Sequence, residues 1–250
     1  MSGHSKWSSI KHKKGVADAR RGKLFSKLSR AIIVAARDGG GDPAANLALQ
    51  NAIEKARSYS MPKDNIERAI ARGSGADSDA QAFETVVYEG YGPSGVAVIV
   101  EALTDNRNRT AADVRAAFAK HDGNLGGSGA VAWLFERRGV ILVDADRFDE
   151  DDVTLAAAEG GADDVELDGS SFSVTSSAES LSAVRQALED AGIEVDSAEL
   201  TMVPKTTVEL DDESAAKKTL RLIDALEESD DVQEVYSNFD IPEQVMEAVA

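Results

Sequence analysis

Residues 164–188 read DVELDGSSFSVTSSAESLSAVRQAL, and this stretch decides the fold class. Residues 165–167 and 172–174 are two short apolar runs joined across Asp168-Gly169, a dipeptide favoured in tight hairpin turns. Ser176-Ser177-Ala178-Glu179 has the spacing of a capping box. Leu181, Val184 and Leu188 then recur at helical intervals until Gly192. Working outward, residues 140–143 predict a strand and 152–159 a helix before the hairpin, and 198–203 predict a strand after the second helix. The order over 139–203 is β-α-β-β-α-β, the split βαβ of ferredoxin-like folds.

The flanks carry a second α/β pattern. Residues 206–210 and 232–239 predict strands around a helix at 214–228, whose inner stripe is Leu220, Ile223 and Leu226. This β-α-β lacks a partner half. Residues 84–136 can supply it: strands at 85–90 and 96–103 across Tyr91-Gly92-Pro93-Ser94-Gly95, a helix at 110–121 with Ala111, Val114 and Phe118 on one face, and a strand at 131–136. Residues 139–203 are then an insertion.

Upstream the period is helical throughout. Leu24, Leu28, Ala31 and Ala35 form one face, and Gly39-Gly40-Gly41 ends it. Asp42-Pro43 predicts the next start, with Leu49, Ile53 and Ala56 inward. Pro62 opens a third helix with Ile66, Ala69 and Ile70 inward, stopped by Gly73. Residues 74–82 read as a linker. The expected fold is α+β: an N-terminal three-helix bundle (1–73), then two ferredoxin-like α/β domains, a middle one (83–136 plus 205–242) and one inserted in it (139–203).

Charge divides the chain more sharply than periodicity does. Residues 3–37 hold ten Lys/Arg against Asp18 alone, a net of +9, whereas the whole chain carries −18 and residues 144–250 carry −24. A segment that opposes its own protein in this way points to an anionic partner, most commonly nucleic acid. Lys6, Lys11, Lys13, Lys14, Arg20, Arg21, Lys23, Lys27 and Arg30 are the candidate phosphate contacts, with Trp7 and His12 placed among them to stack or hydrogen-bond. The competing reading is a solvated basic tail. Arg107 and Arg109, in TDNRNRT at 104–110, sit where a strand gives way to a helix and form a second candidate phosphate site. The competing reading there is an N-cap loop with solvated arginines.

Other chemistry is poorly supported. The chain has no Cys, and its three His show no metal-ligand spacing. The glycines at 123–129 are not followed by Gly-Lys-Ser/Thr, and the acidic run 149–152 lacks the alternation of a calcium loop. No nucleophile–base–orienter set can be assembled, so no enzyme activity, cofactor, metal or small-molecule substrate is expected. The longest apolar run, AIIVAA at 31–36, is too short to span a membrane, and a cytoplasmic location is expected.

GHSKW (3–7), KHKK (11–14), DARRGKLFSKL (18–28), MPKDNIERAI (61–70), YEGYGPSGVAVIVE (88–101) and TDNRNRT (104–110) resemble the YebC/PmpR family. That family includes the mitochondrial translational activator of cytochrome oxidase subunit I. The resemblance implies the same three-domain layout and a non-catalytic regulator of gene expression. Family members are commonly described as DNA-binding transcriptional regulators. A second form is a ribosome-associated translation factor on structured ribosomal or transfer RNA, which the basic arm suits equally well. A metabolite-sensing α/β module is a third reading that rests on fold analogy alone.

Overall fold

The computed structural model describes residues 18–75 and 83–249. Three helices open it: α1 (Asp18–Gly39), α2 (Leu47–Ser58) and α3 (Lys63–Gly73). Their shared core is Leu28, Ile32, Ile33 and Ala36 of α1 against Leu49, Ile53 and Ala56 of α2 and Ile66 and Ala69 of α3. The α1 stripe is therefore rotated from the expected one. The branched Ile32 and Ile33 bury more apolar area than Ala31 and Ala35, and the helix turns to bury them. α2 does not start at Asp42-Pro43 either. Asn46 is its N-cap, with Oδ1 accepting the Leu49 N–H at 3.1 Å while its amide donates to the carbonyls of Ala35 and Gly40. Asp42 instead accepts the Ala44 N–H and closes a turn.

Two four-stranded antiparallel sheets follow. The first has strand order β3-β1-β2-β9, from β1 (Glu84–Tyr91), β2 (Ala97–Thr104), β3 (Asn124–Leu125) and β9 (Val232–Ser237). The second has order β5-β6-β4-β7, from β4 (Phe135–Asp144), β5 (Asp164–Asp168), β6 (Ser171–Ser177) and β7 (Ser197–Pro204). With α5 (Glu150–Glu159) and α6 (Leu181–Asp190) between its strands, the second sheet has the strand order and connections of a ferredoxin-like unit.

The first sheet is layered alike but connected differently. Its central strands, β1 and β2, are a direct hairpin in which Glu84 pairs with Thr104 and Tyr91 with Ala97. α4 (Arg107–Lys120) and α7 (Glu213–Glu227) pack on one face of it, over Val98, Val100, Val232 and Val235. The strand expected at 206–210 does not join this sheet. β8 (Val208–Glu209) pairs in parallel with β10 (Phe239–Asp240) as a separate ribbon, and α8 (Glu243–Val249) ends the fold. The strand expected at 131–136 is also redrawn. Ala132–Leu134 is a 3₁₀ turn, and β4 begins at Phe135 and runs unbroken into the second sheet.

Ala97 and Ile99, on the other face of β2, meet Val131 and Phe135, with Met202 and Tyr236 packed alongside. The two sheets are thus joined through apolar contact as well as by the chain. A charged junction brings all three units together. Lys55 of α2 hydrogen-bonds to Glu234 of β9, close to Glu199 of β7. Burial works against the Lys55 charge, but the two carboxylates outweigh it and hold the ammonium protonated.

Candidate nucleic-acid interface

α7 ends without a cation of its own. Its last turn carries no base, and Glu227, Glu228, Asp230 and Asp231 follow one another there. Carboxylates at a helix C-terminus add to the negative end of the backbone dipole, which is unfavourable unless cations are brought in. α1 brings them. Lys23 Nζ donates to the Glu228 carbonyl at 3.4 Å, Lys27 to the Glu227 carbonyl and Arg30 to the Asp230 carbonyl. The three-and-four spacing that puts these cations on one face of α1 matches the run of carbonyls, Glu227, Glu228 and Asp230, at and just past the end of α7.

Asp231 is the hub of this contact. Arg30 reaches its Oδ1 at 3.1 Å, and Arg109 Nη2 and Thr110 Oγ1 both donate to its Oδ2 at 2.8 Å. Arg109 also pairs with Asp105 at 2.8 Å. Burial alone would raise the Asp231 pKa, but hydrogen bonds from Arg109 and Thr110 and the charges of Arg109 and Arg30 hold it below the usual carboxylate range. Arg109 is raised in turn by its hydrogen bonds to Asp231 and Asp105. An open cleft of about 650 Å³ lies over this hub, its walls carrying Lys23, Arg30 and Arg109 beside Asp105, Asp113 and Glu228.

TDNRNRT is therefore partly a cap and partly a clamp. Asn106 N-caps α4, accepting the Arg109 N–H at 3.1 Å, and Thr104 Oγ1 accepts the Asn106 N–H at 2.8 Å. Arg107 has a different setting. Its side chain is 65% exposed in the first turn of α4, and Glu84 is 3.6 Å away.

The glycine loop after α4 binds an anion, but an internal one. Glu89 is buried, and its carboxylate accepts the N–H groups of Gly129, Val131 and Ala132 at 2.7 to 2.8 Å. Burial acts to raise its pKa, but the three backbone hydrogen bonds lower it below the ordinary value. These N–H groups are engaged by Glu89 rather than by a phosphate.

Residues 5–76 match the family model described as the TACO1/YebC protein N-terminal domain, and residues 83–239 match that of the TACO1/YebC second and third domain. The chain belongs to the TACO1/YebC family. Among similar proteins is one named probable transcriptional regulatory protein from Rubrobacter xylanophilus, 63% identical over 250 residues and covering all of both chains. A protein of the same name from Halothermothrix orenii is 54% identical over 251 residues, covering 100% of this chain and 99% of its own. A crystal structure of a conserved hypothetical protein from Aquifex aeolicus aligns with a TM-score of 0.81 at 50% identity, covering 90% of this chain and 93% of that one.

In this TACO1/YebC chain the candidate residues fall into three groups. Lys6, Trp7, Lys11, His12, Lys13 and Lys14 lie outside the described residues, while the backbone of Arg20 and Arg21 belongs to the start of α1. Lys23, Lys27, Arg30 and Arg109 converge on the end of α7 and on Asp231. Arg107 stands apart from both groups, exposed at the start of α4. Sequence reading missed the partners, Asp231 and the end of α7, which lie about 200 residues from the cations of α1. The available signal was an acidic helix end, EESDD at 227–231, with no local base to balance it.

Proposed function

We propose that this protein binds nucleic acid through the basic residues that lead into and open α1, and regulates gene expression without catalysing a reaction. The observation that carries the reading is the opposition of charge: +9 over residues 3–37 against −24 over residues 144–250. The structure adds a physical reason for two sets of cations. Lys23, Lys27 and Arg30 fix α1 against α7, so the bases earlier in the sequence enter from a helix with a defined seat. Lys6, Lys11, Lys13, Lys14, Arg20 and Arg21 are the contacts assigned to phosphate, with Arg107 as an auxiliary one.

The non-catalytic half of the reading rests on what the buried acids do. Asp231 and Glu89 are both held ionised by several donors and serve as anchors for neighbouring chain. A general acid or base needs a pKa near the working pH, and these are displaced away from it. The relatives named probable transcriptional regulatory protein support a role in regulating transcription, for which duplex DNA is the partner we assign.

The test is retention of the full-length protein on duplex DNA and on a folded RNA of equal length at equal salt. Tighter binding to DNA supports a transcriptional role, and tighter binding to RNA supports the translational one. Absence of binding to either at low salt overturns the proposal.

A further inference from the structure

The fold leaves two aromatic rings exposed at one place. Trp133 is 64% exposed and Tyr91 38% exposed. Neither ring is loosely held. Trp133 Nε1 donates to the carbonyl of Ala130 at 3.2 Å, and Tyr91 Oη donates to the same carbonyl at 3.1 Å. That carbonyl belongs to the segment pinned by Glu89, which takes the N–H groups on either side of it, from Gly129 and Val131. Both rings therefore have their polar atoms satisfied internally and their orientation fixed before any ligand arrives.

The surroundings select the ligand. Residues 123–135 contain no charged side chain, nor do residues 91–100 of the hairpin, in a chain that holds 45 acidic residues. Glu89 is buried beneath the loop, and the exposed acids that flank the span, Asp122 and Glu136, are paired with Lys218 and Arg138. Gly127 and Gly129, earlier in the same loop, face open space where a Cβ would meet nothing within 4 Å. Exposed Lys205 is joined to this turn, its N–H donating to the Leu134 carbonyl at 2.8 Å. A protein-docking patch would surround such rings with exposed apolar side chains, whereas Val131 and Phe135 beside Trp133 are buried in the core and Gly127, Ser128 and Gly129 precede it. Fixed π-faces, a nearby cation and flanking acids that are already paired suit a base carried on a phosphate backbone.

We infer that Trp133 and Tyr91 form a stacking platform for unpaired nucleobases, so that the ligand presents a single-stranded or flipped-out segment here. The inference rests on the nucleic-acid reading and adds a second contact, distinct from the phosphate contacts assigned to the N-terminal bases. Stacking draws its affinity from the base and little from charge, so it separates from the electrostatic contact by experiment.

The test measures binding of the full-length protein to a labelled single-stranded 12-mer and to an abasic 12-mer with the same number of phosphates. The wild type is expected to bind the base-containing strand about tenfold more tightly, the size of one lost stack. Trp133→Ala should erase that difference with the salt dependence unchanged, and Trp133→Phe should retain most of it. Quenching of tryptophan emission by the base-containing strand, present in the wild type and reduced in Trp133→Phe, gives a readout that does not depend on the alanine variant folding. An equal base preference in wild type and Trp133→Ala overturns the platform while leaving the proposed function standing. A wild type that binds duplex DNA or folded RNA but neither strand overturns the platform alone, and one that binds none of them overturns both. Loss of binding to a protein partner, with both strands bound as before, overturns the platform in favour of a docking site.

Discussion

Arg30 on α1 and Asp231 before β9 are joined at 3.1 Å across about 200 residues of chain, and this pair ties the helical bundle to the first sheet. Asp231 is buried and accepts from the side chains of Arg30, Thr104, Arg109 and Thr110, so removing it leaves them without their shared acceptor. Asp231→Ala is expected to destabilise the protein by about 2–3 kcal/mol. Urea unfolding followed by circular dichroism measures it, and an unchanged midpoint would remove Asp231 from its role as hub.

Glu89 gives a pH-dependent signature. Its folded pKa lies below the unfolded value, so its contribution is complete above the unfolded pKa, about 4.3, and is lost as pH falls through the folded one. Glu89→Gln should therefore be less stable than the wild type at neutral pH by about 1–3 kcal/mol. That gap should persist down to about pH 5 and narrow below about pH 4. Parallel unfolding curves across that range would contradict the assignment.

Two glycines separate packing from propensity. A Cβ on Gly73 would lie 2.3 Å from the Ile33 carbonyl oxygen and 2.7 Å from the Ala36 Cβ, so α3 could not keep its approach to α1. Gly73→Ala should cost about 1–3 kcal/mol. Gly22 lies exposed in α1 with nothing within 4 Å, and Gly22→Ala should stabilise by up to about 1 kcal/mol through helix propensity. Thermal midpoints moving in opposite directions would bear this out.

Arg107 and Arg109, two residues apart, should respond differently. Arg107→Ala is expected to leave stability within about 0.5 kcal/mol, because the side chain is exposed and its ion pair is long. Its effect should fall on nucleic-acid affinity. Arg109→Ala should lower the unfolding midpoint, because it removes a donor from Asp231. Equal stability of the two variants would show that the clamp contributes nothing.

The insertion was the most legible part of the fold. Its hairpin dipeptide, its apolar triplets and its helix spacing are all local, and β5, β6, α5 and α6 form where these place them. The finer capping detail was less so. Ser180, not Ser176, is the N-cap of α6, and Ser177 Oγ accepts the Ser180 N–H instead of the expected capping box forming. What stayed hidden was long-range. β8 chose β10 over the main sheet, Lys27 chose a backbone carbonyl of Glu227, and Arg30 and Arg109 chose Asp231, all far away in sequence. A cation count identifies a basic surface but does not say which cations the fold itself occupies.

The central claim is that the N-terminal bases supply the contact with nucleic acid, and its most direct measurement is the salt dependence of binding by the full-length protein. With about five phosphates contacted on duplex DNA, log K should fall against log salt with a slope of about −4 to −5. Replacing Lys6, Lys11, Lys13 and Lys14 together with Gln should flatten that slope to about −1, weakening all sequences alike, while the unfolding midpoint stays unchanged. A slope in the quadruple variant as steep as in the wild type would contradict the account.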